Sequence, residues 1–137
     1  MGFEVFLRCL EDDPTLGISR AAMRALFPVV EKESEADRWS VRYNHSNTCV
    51  VYLTGYTGQE EMIRFAMVER PCRDVRLWDA ALAILKMGRV VFYSPGGPSV
   101  VASEVVRASL PAEEVAALGP VQLVQSGEEI LRIIESS

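Results

Sequence analysis

Histidine and lysine are nearly missing from this chain. His45 is the single histidine, and Lys32 and Lys86 are the only lysines among 14 basic residues. The three cysteines, Cys9, Cys49 and Cys72, stand far apart and form no C-x-x-C pair. With no C-x-x-C pair and a single imidazole, these residues lack the paired ligand spacing of a structural zinc site, so no metal is expected, and no other cofactor. Free thiols imply a reducing compartment, so the expected location is the cytoplasm. Long apolar runs are missing too. "AALAIL" and "VVFY" are core-sized and far below the roughly 18–20 residues of a membrane span, so no membrane partner is expected. No basic leader opens the chain, since Glu4 and Arg8 interrupt "MGFEVFLRCL", which reads as a strand. Positive charge is in deficit, with a formal net charge of −5. Phosphate-backbone binders need a basic stripe, and none is present, so nucleic acid is not an expected partner.

What remains is ordinary globular material. The chain has 137 residues, 49% hydrophobic and 24% charged, enough for one domain (1–137) with a real core. Phe3, Val5, Leu7 and Cys9 alternate as a first strand. Ser19 can cap a short helix, "RAAMRALF", ended by Pro28 and the acidic stretch "EKESEAD". "WSVRY", the turn "NHSN" and "TCVVYLT" make a hairpin. "MIRFAMVER" reads as a third consecutive antiparallel strand, with Ile63, Phe65 and Met67 as its apolar face. Val75, Trp78, Leu82 and Leu85 then fall on one helical stripe that stops at Gly88.

"RVVFYS" has the near-continuous apolar character of an interior strand. Residues 99–109 are ambiguous; valine favours strand, but the spacing of Val101, Val105 and Ala108 points to helix, which is preferred. A short helix from Pro111 to Gly119, a last strand at "VQLV" and a final helix with a Ser126–Glu129 capping box complete the chain. The expected architecture is α+β: a mixed, largely antiparallel sheet of about five to six strands packed against helices. Its order is β-α-β-β-β-α-β-α-α-β-α. Trp39 and Trp78 are both assigned to the core.

Four features could carry function. Cys72 follows a proline, is flanked by Arg70, Arg73 and Arg76, and sits near a helix start, conditions that favour a thiolate. It lacks an evident general base, because His45 falls in the hairpin turn. A small buried residue closing a strand–helix joint is the favoured account. "SPGGPS" offers Gly96, Gly97 and Ser99 as an anion cradle if a helix follows, but it matches no nucleotide motif. Acid pairs such as Glu113–Glu114 and Glu128–Glu129 read as helix first turns rather than as catalytic carboxylates. Finally, Glu11, Asp12 and Asp13 on one side of the first helix, and Glu31, Glu33, Glu35 and Asp37 on the other, suggest a surface that steers a basic protein partner. Homodimerisation through an exposed edge strand is a further possibility. Without a catalytic set, the preferred reading is a non-enzymatic interaction domain of the immunity or regulatory type. An anionic-ligand module at Ser94–Ser99 and a thiol enzyme using Cys72 are the alternatives.

Overall fold

Val5, Leu7 and Cys9 all point to one side of strand β1 (Glu4–Cys9), and the main core is assembled on that side. The computed structural model describes residues 4–11, 17–53 and 61–136. After β1 come β2 (Ile18–Ser19) and α1 (Arg20–Ala25), whose first turn is capped by the Ser19 hydroxyl accepting from the Ala22 N–H. A 3-10 turn at Glu31–Glu33 leads into the hairpin β3 (Arg38–Asn44) and β4 (Asn47–Leu53). β5 (Met62–Ile63), β6 (Phe65–Glu69) and α2 (Val75–Leu85) follow. The last part comprises β7 (Val90–Tyr93), β8 (Ser99–Val101), α3 (Glu104–Ala108), α4 (Ala112–Leu118), β9 (Val121–Leu123) and α5 (Gly127–Glu135).

Seven strands form one sheet in the order β3-β4-β6-β1-β7-β8-β9, while β2 and β5 pair separately. Every neighbour in the large sheet is antiparallel except β8 and β9. The fold is therefore α+β, with the mixed, mostly antiparallel sheet expected, but with more strands. β4 pairs with β3 and β6, so the three-strand antiparallel run is present. β7 lies between β1 and β8, an interior position that explains its lack of polar residues.

Two expectations are corrected. Residues 99–101 are a strand, not the beginning of a helix; Ser103 then caps α3 by accepting from the Val106 N–H. Ser99, Val100 and Val101 are all buried, and burial on both faces favours valine as strand over its helical spacing. The second concerns "MIRFAMVER". It is broken at Arg64 into β5 and β6, and the break shifts the alternation. Ala66 and Val68 face the core, and Phe65 and Met67 look to the other side of the sheet.

On the core side, Trp39 and Trp78 are fully buried. Trp78 of α2 meets Phe92 of β7 edge-on at 5.9 Å, and Phe27 lies 6.3 Å from Trp39. Ile130 and Ile134 of α5 and Met23 of α1 join the same cluster. The outer edge of β3 is not bare. Val30 N–H donates to Ser40 O (2.8 Å), Arg42 N–H to Pro28 O (3.1 Å) and Glu35 N–H to Arg38 O (2.7 Å), so the 28–35 segment covers this one of the sheet's two edges, the other being β9.

Candidate functional site

The second face of the sheet carries the most distinctive surface. Residues directly opposite in antiparallel strands share a face, so the register defines a row: Arg38, Tyr52, Met67, Phe6 and Tyr93, running from β3 to β7. Tyr52, Met67, Phe6 and Tyr93 are all half-buried, as is Phe65. The Phe6 ring stacks on Tyr93 at 5.3 Å and lies 5.5 Å from Phe65. α4 reaches this side through an ion pair between Glu114 and Arg8, and Ser99 donates from its hydroxyl to Leu118 O at 3.1 Å. α3 stands by β8 and β9. The β4–β6–β1 part of the row is left half exposed. Beside it, Glu4 and Glu69 face each other across β1 and β6, with no cation paired to either among the described residues. Like charges directly opposed cost stability in a sheet, so the fold gains nothing from this pair.

The acidic flanks are partly neutralised by their own neighbours. Glu31 pairs with Arg24, and Glu33 pairs with Arg42 at 2.9 Å while accepting from the Ser40 hydroxyl at 3.1 Å. Glu35 and Asp37 are exposed, and Glu11 is half-buried at a cleft it shares with Arg8, Arg64 and Arg89. Asp12 and Asp13 lie outside the described residues. The acids at 31–33 thus fasten the edge-covering segment as much as they present charge.

Gly96 and Gly97 border a cleft of about 560 Å³ together with Arg8 and Tyr93. Two of the loop's N–H groups are turned inward: Gly97 donates to Ser94 O (2.9 Å) and Ser94 to Pro98 O (3.2 Å). Strand β8 follows the loop, so the helix N-terminus on which the anion reading depended is not there. Gly96 adopts φ 72°, a turn conformation that glycine reaches without strain. Ser99 is buried, and the nearest cation on the cleft wall, Arg8, is held by Glu114.

Cys72 sits in the link between β6 and α2, two residues before Asp74, which caps the helix by accepting from Arg76 N–H at 3.0 Å. Its carbonyl accepts from the Trp78 indole N–H at 3.0 Å. His45 is exposed in the β3–β4 turn and forms no hydrogen bond or ion pair with it. The neighbour of Cys72 is instead Cys49, on the core face of β4. The register sets Val50 against Glu69, so Cys49 falls level with Arg70. Arg70 takes φ 53°, a left-handed turn that brings Pro71 and Cys72 back over the end of β4. All three cysteines are free and buried.

A hydrogen bond from the Cys49 thiol to the Cys72 sulfur is the main cause that brings the Cys72 thiol down, to about 7. Burial opposes that shift, and the Asp74 N–H supports it. The same contact, with burial, pushes Cys49 up. Tyr43 adjoins the pair, its hydroxyl raised chiefly by burial and without a hydrogen-bond partner among the described residues. The Arg76 guanidinium lies 5.1 Å from the Tyr43 ring centre, and both line a groove of about 420 Å³ with Leu26, Pro28, Asp79 and Ala80. Sequence reading missed Cys49 because no spacing motif links it to Cys72; only the β4–β6 pairing does.

No known protein family, curated protein or solved structure matches this chain.

Proposed function

We propose that this protein is a non-enzymatic interaction domain that docks a basic protein partner on the β4–β6–β1 face of its sheet. The observation that carries this reading is the half-exposed row Tyr52–Met67–Phe6, bordered by the Glu4–Glu69 pair. Aromatic and methionine side chains at the centre with charge at the rim are the composition of protein interfaces. Two directly opposed carboxylates without a cation are relieved when a partner brings one. The same pair disfavours self-docking, because two copies meeting face to face would gather four carboxylates.

Site-specific photocrosslinking tests this. A photoreactive residue at Tyr52 should capture a basic protein in the source cell, the yield falling as salt rises. The same probe at Glu128, in the first turn of α5, should capture none. Equal capture from both positions, or capture indifferent to salt and to Glu4→Lys, would rule the reading out.

A further inference from the structure

The contact between Cys49 and Cys72 joins two thiols that are distant in sequence and unequal in access. Cys72 is 9% exposed and Cys49 4%, and both belong to the same core cluster. Buried cysteines ordinarily serve as small apolar residues, and one alone would imply nothing more. Here the fold brings two thiols together: the β4–β6 register sets Cys49 level with Arg70, and the left-handed turn at Arg70 returns the chain to the end of β4 at Cys72. We propose that Cys49 and Cys72 form a reversible disulfide, with Cys72 attacking a small hydroperoxide and Cys49 resolving the product.

In the first step the Cys72 thiolate attacks one peroxide oxygen. The O–O bond breaks, an S–O bond forms, and the leaving oxygen departs as water or an alcohol after taking a proton. Cys72 becomes a sulfenic acid. In the second step the Cys49 sulfur attacks the Cys72 sulfur. The S–O bond breaks, the S–S bond forms, and the hydroxyl leaves as water with the proton of the Cys49 thiol. The sum is two thiols and one hydroperoxide giving one disulfide, one alcohol (or water) and one water. The two thiols supply the two electrons that the peroxide accepts.

The assignment of roles follows from the surroundings. Cys72, the more accessible residue of the two, is also the one whose thiolate is favoured, as required of the attacking group. The charged and titratable groups facing it are Tyr43 from β3 and Asp74 and Arg76 from α2. The small exposure of Cys72 also selects the oxidant. At 9% exposure a protein disulfide could not approach it in line, so the oxidant assigned is a small hydroperoxide. The bond would tie β4 to the entrance of α2, beneath the strand face proposed to bind a partner.

The experiment treats the reduced full chain with equimolar hydrogen peroxide, blocks remaining thiols, and maps peptides without reduction. The expected product is a Cys49–Cys72 linked peptide, two hydrogens lighter than its parts and restored by dithiothreitol, with Cys9 still alkylated. Cys49→Ser should halt at a Cys72 sulfenic acid that dimedone traps. Cys72→Ser should slow oxidation of Cys49 at least about tenfold. Full alkylation of all three cysteines after peroxide, or linkage through Cys9, overturns the proposal. Mapping of the unaltered protein decides the matter even if a variant fails to fold.

Discussion

Gly127, the first residue of α5, lies directly against Asp79 of α2. A Cβ added at Gly127 would overlap the Asp79 backbone N and carboxylate and stand 2.6 Å from the Trp78 carbonyl carbon. The two helices meet closely because this side chain is missing. Gly127→Ala is therefore expected to force them apart and destabilise the protein by about 1–3 kcal/mol, as overpacking does. Urea unfolding measures it; a midpoint unchanged from the parent would contradict the close approach.

Trp78 joins packing to the Cys72 link. Its indole N–H donates to Cys72 O while its ring meets Phe92. Trp78→Phe keeps most of the apolar bulk and leaves a buried carbonyl unpaired, at a cost of about 1–3 kcal/mol. Thermal unfolding should show the loss, and thiol labelling should show Cys72 more accessible.

The pH dependence of stability follows from the signs of the thiol shifts. Cys72 is lowered from its ordinary 9.0 to about 7, so the fold favours its thiolate. Its contribution is full above the unfolded value and vanishes as pH falls through the folded one, giving a rise between about pH 7 and 9. Cys49 and Tyr43 are raised, so their contributions hold below their unfolded values and are lost in more alkaline solution. Stability measured in urea should rise and then decline across this range, and Cys72→Ser should remove the rise. A rise that survives in Cys72→Ser would assign it to another group.

Glu69→Lys separates folding from recognition. Replacing one of two opposed carboxylates with a cation should stabilise the sheet by about 0.2–1 kcal/mol. Capture of a basic partner should nevertheless fall severalfold, because the charge offered to it reverses. Parallel calorimetry and crosslinking read the two effects; a joint fall in both would assign the pair a folding role.

Much of the scaffold was legible because its signals are local. The alternation in β1, the turn at Asn44–Asn47, the Ser19 and Ser126 caps and the α2 stripe of Trp78, Leu82 and Leu85 each depend on a few neighbouring residues, although Val75, read onto that stripe, is exposed. Residues 99–101 were misread because burial on both faces, which made them a strand, comes from distant elements. The candidate face was hidden for a similar reason. Phe65 and Met67 look like core residues by alternation, and only the break at Arg64 turns them to the opposite side. Cys49 meets Cys72 through strand pairing that no spacing encodes.

The central place of β1 has a consequence for how the chain is born. During translation the segment Glu4–Cys9 leaves the ribosome before its two flanking strands, Phe65–Glu69 and Val90–Tyr93, which are made only after the hairpin and, for the latter, α2. The hairpin can close by itself; the middle of the sheet must wait. A nascent chain of this protein thus carries an unmatched strand until those partners are made, the stage at which a chaperone would find most to hold.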